Sequence, residues 1–398
     1  MKKLIDRLIS SESGAGMLLL FAAFLALVFA NIPGLDKLYN WFVHFTPFTI
    51  PSFNILGSMH FWINDALMAL FFFAIGLELK REMLEGQLKH FSQVLLPVFA
   101  ALGGVIVPAL VFVVINLNAQ NHAIHGWAIP TATDIAFAVG VLALLGRRIP
   151  SSLKIFVLTL AIMDDLCAIV IIALFYTGDL SFLYLLLSFM IVGALVFINR
   201  LGVSNKTPYV ILSLILWFFV LNSGIHASIA GVVAAFTIPL YTKKGNSMSK
   251  EMEQTLGLPV NYIILPLFAF VNAGVNMHGL DASHVFGTVP MGIFLGLFVG
   301  KQIGIFLFSF IIIKAGFAYM PEKANWKQLY AIAIICGIGF TMSLFVDGLA
   351  YGENSILLYH GTDKLAILCG SLVSGVVGYF AAKIVGNNPD GSPKKAKN

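Results

Sequence analysis

Two adjacent aspartates interrupt an apolar run in Ala161-Ile162-Met163-Asp164-Asp165-Leu166-Cys167-Ala168-Ile169-Val170. An ionisable side chain at bilayer depth costs about 2.5–3.5 kcal/mol or more, and marks a functional site by default. Two in a row add their costs and repel each other. A cation, a proton or a buried base must offset them, so the pair points to ion or proton handling inside a membrane.

Three further groups of polar residues lie where apolar ones are expected. Trp127-Ala128-Ile129-Pro130-Thr131-Ala132-Thr133-Asp134-Ile135 gathers a proline, two threonines and an aspartate within one apolar segment. Proline removes a backbone donor and disfavours helix at the residue before it. An unwound stretch is expected here, and such backbone survives at membrane depth only in a protein interior or a wet cavity. The simpler alternative is a proline kink capped by Thr131, with Asp134 as helix N-cap. Cys336-Gly337-Ile338-Gly339-Phe340-Thr341-Met342-Ser343 weakens another apolar segment at Gly337 and Gly339. Lys301, in Gly300-Lys301-Gln302, needs a buried partner, and a carboxylate of the Asp164–Asp165 helix is the expected one. It serves either as a structural salt bridge or in proton transfer. Consecutive helical residues differ in direction by about 100°, so one of Asp164 and Asp165 is expected to face Lys301 and the other the Thr133-Asp134 segment.

Other polar residues are less specific. Glu78 and Glu82 are four apart and share a helix face. They read as an ordinary cytoplasmic helix end or as a negative funnel that gathers cations. His226 stands by itself at a helix start and reads as structural, and Asn64 and Asp65 are similarly unspecific.

These residues require membrane helices to position them. The 398 residues are 59% hydrophobic and 11% charged, against about 25% charged in soluble domains. Mean hydropathy is +0.91. The class is an all-α polytopic membrane protein, and a net charge of +5 gives no reason to invoke nucleic acid. Cys167, Cys336 and Cys369 all lie in apolar segments and form neither a disulfide framework nor a CxxC motif. The first apolar stretch lacks a small-residue cleavage site and reads as a retained helix.

About 12 transmembrane helices are expected, near residues 14–30, 60–84, 93–116, 123–143, 151–175, 180–199, 207–220, 224–240, 255–275, 287–313, 328–350 and 361–384. The stretch 207–240 would be roughly 51 Å long as one helix, against a hydrocarbon core of about 30 Å. A break at Asn222-Ser223-Gly224 makes it two short helices. Lysine and arginine then collect on one side, with Lys37 and Lys364 on the other and Lys301 within a span. By the positive-inside rule both termini are cytoplasmic. Residues 1–385 form a single transporter domain, with core helices about 93–175 and 287–384 and the rest serving as interface. Residues 386–398 form a polar, disordered tail. Residues 31–58 are too broken to span. Helices 3–5 and 10–12 each form a triplet interrupted in its middle member, and the triplets enter from opposite sides. Paired interruptions in inverted-topology repeats point to a transporter binding site.

As a set, these segments resemble the bacterial NhaA-type sodium/proton antiporters, one of the families built on such repeats. The resemblance covers about residues 10–384. It is carried by Trp62-Ile63-Asn64-Asp65, Gly76-Leu77-Glu78-Leu79-Lys80-Arg81-Glu82, Pro130-x-x-Thr133-Asp134, Asp164-Asp165-Leu166, Leu265-Pro266-Leu267-Phe268, Gly300-Lys301 and Cys336–Ser343. The resemblance implies that helices 4 and 11 break and cross at mid-membrane, with Asp134 and Lys301 offsetting the partial charges of the half-helix ends. It implies that Asp164 and Asp165 take up Na⁺ or Li⁺ in competition with protons, with Thr133 in the same site. It implies electrogenic exchange of two H⁺ for one Na⁺, alkaline activation, and location in the bacterial inner membrane. Glu78, Glu82, Glu253 and His226 then occupy positions tied to the pH response. It implies that residues around 42–58 form a β-hairpin that pairs two protomers. Together these place Asp165 towards Thr133 and Asp134, and Asp164 towards Lys301.

The chain departs from the family pattern at three places. The segment Glu253-Gln254-Thr255-Leu256 lacks histidines that some members carry, Gln302 stands where proline is common, and Asp347 is an added acid expected to face solvent.

Competition gives exchange once the site opens alternately to each side: a desolvated carboxylate binds its proton tightly but yields it to a bound cation. Oxygen ligands suit a hard cation, and no cofactor is required. Two other function classes compete with this reading. An intramembrane aspartyl protease would need Gly-x-Gly-Asp, whereas Gly337-Ile338-Gly339 leads to Phe340. A sodium-coupled organic-anion symporter would need a basic solute pocket, for which Lys301 is thin support.

Overall fold

A computed structural model describes residues 12–50, 55–86, 91–119, 122–243, 245–352 and 354–388. Lys2, Lys3 and Arg7 of the expected cytoplasmic N-terminus and all but the first three residues of the expected tail lie outside the described residues. Helices dominate. They are α1 (Glu12–Asn31), α2 (Leu35–His44), α3 (Met59–Leu84) and α4 (Phe91–Asn116). The chain continues through α5 (Ala123–Thr131), α6 (Ile135–Leu145), α7 (Ser151–Phe175), α8 (Phe182–Leu201), α9 (Lys206–Leu221) and α10 (Ser228–Thr237). It ends with α11 (Met248–Asn272), α12 (Thr288–Lys314), α13 (Trp326–Ile335), α14 (Phe340–Ala350), α15 (Asn354–Tyr359) and α16 (Thr362–Val385).

Among the described residues, nine helices are long and apolar enough to cross a membrane, and the α13–α14 pair, bent by 48°, makes a tenth. The short apolar helices α9 and α10 fill the stretch where two short crossings are expected. The polytopic helical class thus stands. α10 is shorter than the expected 224–240 because Pro239 follows it. The residue before a proline is pushed out of helix, and Ile238 is extended, at φ −64° and ψ 130°. α11 begins earlier than expected, because the Ser247 side chain caps it by accepting from the Lys250 amide. α5 is a 3₁₀ helix of nine residues rather than the expected α-helix, a length unusual for that conformation.

Between α2 and α3, strands β1 (Phe48–Ile50) and β2 (Ile55–Gly57) pair antiparallel, with Phe48 opposite Gly57. This is the expected hairpin, although residues 51–54 lie outside the described set.

The chain divides into two compact units. Unit 1 comprises Met1–Pro33, His90–Ala168 and Asn272–Asn398; unit 2 comprises Gly34–Lys89 and Ile169–Val271. Unit 1 holds both interrupted triplets, save the end of α7 from Ile169, together with α1, which packs on α6. Within it α4 packs on α12, α13 on α16, and α14 on α5 and α16. In unit 2, α3 packs on α10 and α11. An apolar core there includes Phe73, Leu77, Leu195, Tyr209, Leu216 and Ala235. Many large apolar side chains elsewhere are exposed, such as Phe182 at 79% and Leu174 at 70%. That suits helices whose outer faces meet lipid.

Candidate functional site

Both middle members of the triplets are broken in unit 1, and the breaks meet. Helix α5 stops at Thr131, Ala132 is extended, and α6 starts after Asp134. Residues 336–339 separate α13 from α14. Both interruptions expected from the sequence are present. Backbone groups freed by one break bond to the other: the Asp134 amide donates to Ile338 O at 2.7 Å, and Thr133 Oγ1 donates to Cys336 O at 3.0 Å. Ser343 Oγ donates to Ile129 O at 2.7 Å, and the Gly339 and Phe340 amides donate to Ser371 Oγ. The irregular backbone is therefore satisfied inside protein. Glycine permits this approach, since a Cβ on Gly337 would lie 2.6 Å from Leu297 O and one on Gly339 2.1 Å from Ser343 Oγ.

Asp134 is the N-cap of α6, accepting from the Phe137 amide at 2.9 Å through Oδ1. Its Oδ2 accepts from the Thr341 amide at 3.1 Å and from Thr341 Oγ1 at 2.5 Å. One carboxylate thus joins the N-terminal ends of α6 and α14, where helix partial charge is positive. The N-cap alternative considered for Asp134 is realised together with the unwinding. Thr131 also caps locally, donating to Ala128 O.

Lys301 follows a π-helical turn, Gly296–Gly300, that re-aims the residues after it. Its side chain is wholly buried. Nζ donates to Asp164 Oδ2 and to Thr131 O, each at 2.5 Å. The cation therefore meets the carbonyl end of α5, the end with negative partial charge. Asp164 is the aspartate of the pair that faces Lys301.

Thr133 faces the Asp164 carboxylate, and both Asp134 oxygens are bonded to Phe137 and Thr341. Spacing along α7 could separate the two aspartates. It could not show that Thr341 supplies Asp134's partners, although Thr341 stood in the quoted motif.

Asp134, Asp164 and Asp165 are each 2% exposed, and among the described residues Lys301 is the one buried base to set against them. Negative charge is in excess, so the cluster can bind protons or a cation. Among the described residues no trio of His, Cys, Asp or Glu converges as a divalent-metal cage would. Gln302 hydrogen-bonds Phe298 O through Nε2 and accepts from the Tyr330 hydroxyl at 2.7 Å. It satisfies a carbonyl at the π turn that a proline would leave open.

In unit 2, Arg81 joins Glu82 at 2.6 Å and Glu253 at 2.9 Å, the latter through Nε and Nη2 together. Glu78 lies within electrostatic reach of all three. Lys80 leaves this cluster and donates to Phe236 O and Ile238 O at the end of α10. His226 is not alone, as its position had implied: Nε2 lies 3.5 Å from Asp65 Oδ1 and Nδ1 bonds Ser228 Oγ at 2.8 Å. Asp65 and Glu78 sit thirteen positions apart on α3, roughly 20 Å at helical rise. Glu78, Glu82 and Glu253 therefore form one group around Arg81, and His226 belongs to another with Asp65. Asp347, expected in solvent, is wholly buried and faces Asp363. The intervening turn brings these residues of α14 and α16 together, a tertiary contact with no local signal.

The family model described as Na⁺/H⁺ antiporter 1 matches residues 6–381. The chain is 62% identical over 387 residues to "Na(+)/H(+) antiporter NhaA 1" of Campylobacter hominis, covering 97% of each sequence. It is 52% identical to "Na(+)/H(+) antiporter NhaA 2" of Campylobacter fetus, covering 94% of each. It is 51% identical to the NhaA antiporter of a Sulfurovum species, with 96% of this chain and 98% of that one covered. The match in length, together with the paired helix breaks, means that this chain belongs to the Na⁺/H⁺ antiporter 1 family, whose members are secondary transporters and not enzymes.

Proposed function

We propose that this protein is an electrogenic Na⁺(Li⁺)/H⁺ antiporter that exports sodium, taking in two protons per Na⁺, and that it is activated at alkaline pH. The observation that carries the reading is the buried Asp164–Lys301 pair at the crossing of two broken helices, with Asp165 beside it on α7. In the proton-loaded state Asp165 is a neutral acid and Lys301 is an ammonium paired with Asp164. Na⁺ entering between the two carboxylates takes Lys301's place on Asp164. The lysine, left without its counter-ion in a low-dielectric site, gives up its proton, and Asp165 gives up the other. One positive charge replaces two, which accounts for both stoichiometry and electrogenicity. Thr133 and carbonyls of the unwound segment supply further oxygens of the kind a hard cation takes. The protons of the pair titrate as a coupled system. Raising pH frees the carboxylates, which gives alkaline activation.

The same reading places Glu78, Glu82, Glu253 and His226 in the pH response, and the chain in the bacterial inner membrane with both termini cytoplasmic. It makes residues 1–385 one transporter domain and the hairpin at residues 48–57 the contact of a homodimer. The experiment is ΔpH dequenching in everted vesicles at alkaline pH. Na⁺ or Li⁺ should collapse a preformed proton gradient while K⁺ and choline do not; a wild-type protein silent to Na⁺ sinks the reading. In proteoliposomes without a pH gradient, an imposed K⁺ diffusion potential should drive Na⁺ movement. Indifference to the potential would exclude two-for-one exchange.

A further inference from the structure

A second carboxylate pair lies in unit 1, away from Asp164 and Asp165. Asp347 on α14 and Asp363 in the first turn of α16 are both 0% exposed. They face each other within hydrogen-bonding reach. Both oxygens of Asp347 and the Oδ2 of Asp363 have no donor among the described residues; Asp363 Oδ1 accepts from the Lys364 amide at 2.9 Å. Ser355, 1% exposed, aims its hydroxyl at Asp363 from α15 without reaching full hydrogen-bond geometry.

Carboxylates are acceptors only when ionised. Two of them in contact, buried, with no donor between them, carry a penalty that a well-packed apolar pair would avoid. A proton between them removes one charge and supplies the missing donor. A small hard cation does the same with oxygen ligands, and four unsatisfied oxygens from three elements are gathered here. Titratable groups surround the pair from several elements: the short helix Ala282–Val285, packed on α16, sets His284 against His360. Lys364 on α16 is half-buried and electrostatically coupled to both aspartates. Tyr359 on α15 faces the pair and bonds Tyr351. The Tyr351 hydroxyl is also bonded to Ala123 O. α5, also packed on α14, carries only His125 as a titratable side chain, and that is exposed. Glu353 lies outside the described residues.

We propose that Asp347 and Asp363 form a second ion site, holding one shared proton that a small monovalent cation of the Na⁺ class displaces. Asp347 lies six positions after Thr341 on α14, about 9 Å along the helix axis. Thr341 holds Asp134. One rigid half-helix therefore joins the second pair to the crossing of the broken helices, and the ion state of one end bears on the other.

The test measures binding, so its outcome is independent of whether the protein exchanges Na⁺ for H⁺ as proposed above. Full-length D164N/D165N protein, purified in detergent in weakly buffered solution, is titrated with NaCl against choline chloride. NaCl should release about one proton per chain and remove the infrared carbonyl band of one protonated carboxyl. Adding D347N/D363N to that background should abolish both signals, and adding E353Q should abolish neither. Thermal unfolding checks that each variant is folded. Should the double replacement not fold, D347N by itself replaces it, with the same expected loss. The proposal is overturned if D164N/D165N protein shows no Na⁺-specific proton release, if the release survives D347N or D347N/D363N, or if E353Q removes it.

Discussion

Lys301 has two contacts that matter, the Asp164 carboxylate and the Thr131 carbonyl. Removing one member of a buried pair costs about 3–5 kcal/mol, because the other charge is left uncompensated. Lys301→Ala should therefore lower the thermal unfolding midpoint sharply. Should Na⁺-driven dequenching survive in that variant with its sensitivity to membrane potential intact, Lys301 does not carry the second proton. Asp165→Asn should abolish the Na⁺ response with little effect on unfolding, and full activity would move the cation site elsewhere. Asp134 behaves differently, since its oxygens are held by Phe137 and Thr341 donors. Thr341→Val takes away one charge-assisted donor and leaves the Thr341 amide in place. The expected loss is about 1–3 kcal/mol, read by thermal unfolding in detergent.

At the scale of elements, the breaks work because each frees backbone groups that the other satisfies. The approach depends on small residues. Gly337→Val would drive its branches towards Leu297 O and Ser374 Oγ, each 2.6 Å from an added Cβ. We expect the variant to be poorly folded or devoid of exchange, as judged by chromatographic monodispersity and dequenching; a folded, fully active variant would show that the crossing can loosen. In α3 the spacing of Glu78 and Glu82 announced a shared face, but the bidentate partner Glu253 comes from α11. Glu253→Gln removes one negative charge from this cluster, and fewer negative charges make proton loss from neighbours easier. The pH profile of exchange should move to lower pH while the Na⁺ response at high pH persists. An unmoved profile would detach Glu253 from the pH response.

At the scale of the whole molecule, two compact units divide the chemistry. Unit 1 holds Asp134, Asp164, Asp165 and Lys301, and unit 2 holds the Arg81 cluster and the His226–Asp65 pair. The proposed homodimer belongs to this scale as well. Cysteines placed in the hairpin around residues 47–58 should crosslink two chains in native membranes. A chain that remains monomeric at every hairpin position would remove that segment as the dimer contact.

Sequence by itself determined the membrane class, the helix order and the two interruptions. These follow from local quantities: hydropathy over about 20 residues, proline's missing donor at Pro130 and the weak helix propensity of Gly337 and Gly339. It also marked Asp164, Asp165 and Lys301 as costly and in need of partners, because desolvation cost depends on residue type and depth. Tertiary structure decided which partners they take. A 100° step separates Asp164 from Asp165 but does not say what stands opposite each. Thr133 lies by Asp164, Thr341 holds Asp134, Asp65 answers His226, and Asp347 turns inward onto Asp363. Each of these contacts joins chain segments 16 to more than 200 residues apart, beyond the reach of any periodicity. Pairing at that range is set by how helices pack, and only the folded chain contains it.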